Sequence, residues 1–216
     1  MKRLLQLVRE HPRYGYRRVW ALLRAEGFRV NRKRVYRLWR REGLKVPRRK
    51  KKRRRLGHPG NGCARYRARY KGHVWSWDFI HDRTADGRPL KWLSVVDEYT
   101  RECLVLEVAR GMTAARVVEV LLGVTRQRGA PKHIRSDNGP EFIARAIREG
   151  LKEAGVGVLY IEPGAPWENA YAESFHSRLR DELLEREGFA SLLEARVLGR
   201  AWKEDYNHKR PHSSLG

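Results

Sequence analysis

The chain has 216 residues, 41% of them hydrophobic and 34% charged, with a formal net charge of +23. That length suits one medium domain plus a small one, and the apolar fraction supports a packed core. No run of 18 or more apolar residues occurs, so no membrane span is expected, and the charged N-terminus excludes a secretory signal. Cys63 and Cys103 have no metal-ligand spacing and read as reduced thiols of a cytosolic protein.

The charge is concentrated at one end. Residues 1–56 carry 23 Lys/Arg against 3 Asp/Glu, a balance of +20, whereas the remainder is +3. A polyanion partner follows, and nucleic acid is the commonest. Leu4, Leu5, Leu7 and Val8 predict a first helix, broken at Tyr14-Gly15-Tyr16. Val19, Trp20, Leu22 and Leu23 mark the buried face of a second, capped at Gly27. Asn31 is a good N-cap for a third, with Val35, Leu38 and Trp39 inward and Gly43 at its end. Arg32, Lys33, Arg34, Arg37, Arg40 and Arg41 are left outward or at the edges. Two helices, a tight turn and a basic third helix spell a helix-turn-helix over residues 1–46, with these six as candidate DNA contacts. A basic three-helix bundle that reads no groove is the alternative.

Residues 47–70 read as a basic linker. Arg48 to Arg55 are eight consecutive cations, which like-charge repulsion keeps extended. Gly57, Pro59, Gly60 and Gly62 then interrupt regular structure. Tyr66 and Tyr70 interleave with Arg65, Arg67, Arg69 and Lys71, a pattern open to base stacking or to packing against the core.

Residues 71–216 read as a mixed α/β domain. Strands are expected at Val74–Ile80, Leu90–Val96 and Cys103–Val108, with a turn at Ala85-Asp86-Gly87-Arg88-Pro89. Thr113 caps a helix, a fourth strand covers His133–Ser136, and a helix over Phe142–Ala154 precedes a strand at Val156–Ile161. Two helices close the chain, one from about Asn169 to Glu187 and one from Ser191 to Tyr206. Asp78 falls mid-way along the first strand and Asp137 just past the fourth. Glu173 lies beside a buried stripe of Ala172, Phe175, Leu179 and Leu183.

Three motifs recur in order: Trp75-Ser76-Trp77-Asp78-Phe79, Ser136-Asp137-Asn138-Gly139-Pro140-Glu141-Phe142, and Trp167-Glu168-Asn169-Ala170-Tyr171-Ala172-Glu173-Ser174-Phe175. Thirty-five residues separate Asp137 from Glu173. Motifs and spacing resemble the OrfB-type DDE transposases of bacterial insertion sequences, which share a catalytic core with retroviral integrases. The N-terminal helix-turn-helix and the closing Tyr206-Asn207-His208-Lys209-Arg210-Pro211-His212 run are similar to theirs too, although family members usually continue some residues further. Glu168 stands where the family usually carries Asp.

The resemblance implies a ribonuclease-H-like fold, with Asp78, Asp137 and Glu173 as catalytic metal ligands. Gathered carboxylates repel, and cations resolve that repulsion. Hard oxygen donors favour Mg²⁺ or Mn²⁺, in a two-ion arrangement roughly 3.5–4 Å across. Water would free a 3′-OH at the element's end, and that hydroxyl would attack a second phosphodiester. The implied partners are double-stranded DNA at inverted-repeat ends and target, further copies of the chain, and the product of the element's first reading frame, all in the bacterial cytoplasm. Arg180, seven residues past Glu173, stands where the family carries a DNA-contacting cation, but a salt bridge to Asp181 or Glu187 is the rival reading. Asn138 reads as orienting Asp137, touching DNA or shaping its turn. Asp97 reads as a turn cap rather than a fourth ligand, and His81, His133 and His176 show no zinc spacing. A decayed, non-catalytic DNA-binding relative and a nuclease acting on RNA–DNA hybrids are the rival functions.

Overall fold

The computed structural model describes residues 1–46, 66–136, 145–160 and 170–211. Its contacts divide the chain into an N-terminal unit that includes Met1–Ala64 and a larger unit spanning Arg65–Asn207. The expected basic run Arg48–Arg55 lies outside the described residues.

The N-terminal unit is built from α1 (Lys2–Glu10), α2 (Tyr16–Ala25) and α3 (Arg32–Arg41). Leu4, Leu7, Tyr14, Val19, Leu22, Leu23, Val35 and Trp39 close into one apolar cluster. Gly27 follows α2 at φ +87°, a left-handed conformation that glycine adopts without steric cost. Asn31 caps α3 as expected, its side-chain oxygen accepting the Lys33 N–H at 2.8 Å. Between them, the Trp20 indole donates to the Val30 carbonyl at 2.8 Å, fixing the turn before α3.

The larger unit carries a five-stranded sheet in the order β3-β2-β1-β4-β5. Strands β1 (Val74–Arg83), β2 (Pro89–Asp97) and β3 (Cys103–Ala109) form an antiparallel meander. β4 (His133–Ser136) and β5 (Gly157–Tyr160) add parallel pairs on the other side of β1. β1 and β2 outrun the expected strands because their ladder continues to Arg83↔Pro89.

Alternation along β1 assigns its residues to opposite faces. Trp75, Trp77 and Phe79 pack with Leu93, Val95 and Leu104 under α4 (Ala114–Arg128) and α5 (Arg145–Glu153). Ile80, Trp92, Val96 and Val108 pack on the opposite face. That face is covered by α6 (Ala170–Leu179), a following π-helical turn (Arg180–Leu184) and α7 (Leu192–His208). Gly199 allows α7 to approach closely, since a Cβ there would meet Trp92 Cζ3 at 2.5 Å. Among the described residues no helix is long and apolar enough to cross a membrane.

The helix expected to run unbroken to Glu187 departs from that pattern. It turns π-helical at Arg180, where the Glu185 N–H reaches the Arg180 carbonyl five residues back at 2.9 Å.

Candidate active site

Asp78 occupies the centre of β1, paired across the ladder with Ser94 of β2. Its carboxylate is directed from two sides. Oδ1 accepts the Phe79 N–H at 2.7 Å, and Oδ2 lies 3.4 Å from Nδ1 of His176. The other imidazole nitrogen, Nε2, is 2.8 Å from the Ser94 hydroxyl oxygen, which also lies 3.1 Å from the Asp78 carbonyl oxygen. Burial, and then the charge of Arg180, push the His176 imidazole down to about 4. It is therefore neutral at neutral pH, and its contact with Asp78 is that of a dipole on a carboxylate rather than an ion pair.

α6 brings the second acid. Its buried stripe is the expected one: Ala172, Phe175 and Leu179, continued by Leu183 in the π turn. Phe175 meets Trp202 and Tyr206 of α7 edge-on, with ring centroids 5.6 and 5.2 Å away. The Arg101 guanidinium lies 3.8 Å over the Tyr171 ring and holds the first turn. Glu173 is exposed beside the stripe, one turn before His176 and hence on the same side of the helix. Arg180 is also exposed, and its field reaches His176 from the turn beyond.

β4 runs beside β1, with Arg135 opposite Ser76. At that position Glu98 is fully buried and accepts hydrogen bonds from Ser76 Oγ and, at 2.8 Å, from Arg135 Nε. Arg135 reaches on to the Tyr66 carbonyl at 2.6 Å. This buried ion pair joins β1, β4 and the segment entering the core. β4 ends at Ser136. Asp137, Asn138, Glu141 and Glu168 lie outside the described residues. Among the described residues no three His, Cys, Asp or Glu side chains gather as a metal-holding group.

Asp97 is the turn cap expected. Its Oδ1 accepts the N–H groups of Tyr99 and Thr100, and its Oδ2 that of Gly72 at 2.7 Å. Tyr66 and Tyr70 contact histidines of the core yet remain exposed. The Tyr66 hydroxyl bridges His73 and His133 at 3.0 and 3.2 Å, and the Tyr70 ring stacks on His73. In the N-terminal unit Arg32, Lys33, Arg34, Arg37, Arg40 and Arg41 are all exposed, and Arg41 pairs with Glu42.

Residues 68–166 and 154–216 each match an integrase core domain family, and residues 1–52 match an HTH-like domain family. The chain is 42% identical over 99% of its length to a 39.2 kDa protein of insertion element IS476 from Xanthomonas euvesicatoria. It is equally identical to a 31.7 kDa protein of IS407 from Burkholderia multivorans, again over 99% of its length. It spans 61% of the first relative and 76% of the second. The transposase InsD of IS2 from Escherichia coli is 30% identical over 99% of this chain and 74% of its own. The chain belongs to the OrfB-type insertion-element transposases.

Solved structures give the chain its fold. The catalytic core domain of HTLV-2 integrase, in complex with magnesium, aligns with a TM-score of 0.53 at 16% identity, over 66% of this chain and 91% of that one. A simian T-cell lymphotropic virus intasome chain aligns at 0.60 over 89% of this chain and 66% of its own. The sheet order and helical layers are thus those of the ribonuclease-H-like integrase core, preceded by a helical HTH-like domain. Sequence reasoning weighed His176 only as a zinc ligand and passed over Ser94. The one available signal was that His176 follows Glu173 by three residues.

Proposed function

We propose that this chain is a DDE transposase that binds the ends of its element and cuts and joins DNA strands with Asp78, Asp137 and Glu173. One observation carries the reading. In an integrase-type core, the helix bearing Glu173 is laid against the strand bearing Asp78 and touches it through His176. β4, which leads in sequence to Asp137, is the neighbour of that strand.

The donor set fits a divalent magnesium-type cation. Asp78 and Glu173 offer hard carboxylate oxygens, the Asp78 side chain is 23% exposed, and among the described residues no thiolate joins them. Asp78, Asp137 and Glu173 would hold the ions. When bound, the ions lower the charge barrier to attack on phosphorus and stabilise the departing oxygen. The chain's own residues do the rest. Exposed cations of α3 neutralise phosphates and seat the duplex. Arg180 and Asn138 hold the strand beside the acids. Water then attacks phosphorus, the P–O3′ bond breaks, and the freed 3′-OH attacks a second phosphodiester, displacing its 3′ oxygen. Double-stranded DNA is the proposed partner, with further copies of the chain assembled on it and the first-frame product as a possible addition.

The test is cleavage of duplex DNA carrying the element's flanking inverted repeats, with Mg²⁺ or Mn²⁺ against chelator. Asp137→Asn should abolish cleavage and leave DNA affinity almost unchanged, and that affinity should fall steeply as salt rises. Cleavage that survives chelator, or an active Asp137→Asn protein, would overturn the reading.

A further inference from the structure

His176 has no place in the three-acid set, yet it occupies the junction of the elements that carry two of those acids. It projects from α6 one turn past Glu173, and its side chain is only 12% exposed. Its Nδ1 faces Asp78 Oδ2, and its Nε2 faces the Ser94 hydroxyl, which is itself fully buried. Ser94 is also the cross-strand partner of Asp78. The three side chains make a closed path from β1 to α6 to β2 and back.

With a single proton on the imidazole, proton placement along this path has two solutions. If the Ser94 hydroxyl donates to the Asp78 carbonyl, Nε2–H must donate to Ser94. Nδ1 then turns a bare lone pair on a carboxylate oxygen 3.4 Å away. If the hydroxyl instead donates to Nε2 over its shorter 2.8 Å contact, Nδ1 carries the hydrogen and points it at Oδ2. The second solution gives up the Ser94 hydrogen bond to the Asp78 carbonyl, but it replaces the larger repulsion, that of a lone pair on a charged carboxylate, with an attraction. A length of 3.4 Å is long for a hydrogen bond, so the contact acts chiefly by aiming the N–H dipole at a charged oxygen.

We infer that His176, oriented by Ser94, is a positioning residue: its Nδ1–H fixes the Asp78 carboxylate and sets the helix carrying Glu173 against the strand carrying Asp78. The inference rests on the reading of Asp78 and Glu173 as cation ligands. With Oδ1 held by the Phe79 N–H and Oδ2 facing His176, rotation of the carboxylate about its last torsion is restrained from both sides. Its remaining lone pairs keep one direction before any ion arrives. The same contact restrains α6 at the turn next to Glu173. Without it, an ion would have to order both carboxylates itself, and that cost would come out of its affinity.

The experiment uses the full chain and Mn²⁺ alone, with bound ion followed by electron paramagnetic resonance. His176→Leu should weaken Mn²⁺ binding by about 10- to 100-fold. His176→Asn keeps an N–H on the same γ carbon and should restore most of that affinity, whereas Ser94→Ala should fall between the two. Nitrogen-15 spectra of the unsubstituted protein should show His176 as the Nδ1–H tautomer. Affinity within twofold of the unsubstituted protein in His176→Leu, or an Nε2–H tautomer, would overturn the inference. Asp78→Asn separates the two levels. If it also leaves Mn²⁺ affinity intact, the metal reading itself fails. If it abolishes binding while His176→Leu does not, only the positioning role fails. Should His176→Leu not fold, the tautomer and the His176→Asn and Ser94→Ala affinities still decide.

Discussion

The two faces of β1 are built on opposite terms. Trp75, Trp77 and Phe79 make one face wholly aromatic and bury it against α4 and α5. On the other face Ser76 and Asp78 bring polar groups into a surface that turns apolar again at Ile80, and each of these polar groups is met by a partner from elsewhere: Glu98 for Ser76, His176 for Asp78. The aromatic face is held by area and shape, which tolerate exchange among apolar side chains. The polar face is held by named hydrogen bonds, and a missing partner there leaves a buried group unsatisfied. The difference shows where a strand can carry chemistry: on the side whose support is specific, backed by a side whose support is generic.

Substitutions at adjacent positions should separate the two kinds of support. Asp78→Asn is expected to lose strand cleavage by orders of magnitude with little change in melting temperature, as read by cleavage assay and calorimetry together. Trp77→Ala, one residue earlier and 1% exposed, should do the reverse. It should cost about 3–5 kcal/mol in denaturant unfolding while leaving the acids in place.

Acid should act through the polar face. The folded His176 sits at about 4 against an ordinary 6.5, so between those values the unfolded chain binds the extra proton. Its contribution to stability is full above pH 6.5 and is lost as pH falls towards 4, by at most about 3 kcal/mol. The pH dependence of unfolding over that window should flatten in His176→Asn. Gly199→Ala would press a methyl group on the fully buried Trp92 ring where α7 packs on the sheet. It should cost about 1–3 kcal/mol in thermal unfolding. The smallest effect is expected at Cys103, which is buried with its thiol pushed up to about 12. It should resist alkylation in the folded chain and react only on denaturation.

Much of this was legible in the residues. Alternation in Trp75-Ser76-Trp77-Asp78-Phe79 announces both faces of β1. Asn31 and Thr113 mark helix starts because their caps are local, and Asp97 declares its turn for the same reason. Contacts between distant residues were not legible. His176 finds Ser94 across 82 positions, and Arg135 finds Glu98 across 37. Nothing in the periodicity of either segment specifies such a pair. The π turn at Arg180 was missed because Leu179 and Leu183 keep an ordinary helical spacing in the sequence, which gives no sign of an extra residue in the turn. Of the acids, the sequence placed Asp78 and Glu173 on their elements correctly, and Asp137 and Asn138 fall outside the described residues.

The sheet order carries a consequence for how the molecule assembles in time. β1, β2 and β3 are joined by short turns, so their pairing closes small loops and proceeds early. β4 pairs with β1 only after a helix and its connections have intervened, bringing His133 opposite Val74. Asp78 should therefore be embedded in a stable meander well before β4 docks beside it. Pulse-labelled hydrogen exchange during refolding should find amides of β1 and β2 protected ahead of those of β4 and β5. Simultaneous protection would show instead that the whole sheet condenses in one step. A nascent chain would thus hold Asp78 in its final strand before the neighbouring strand that leads to Asp137 has docked.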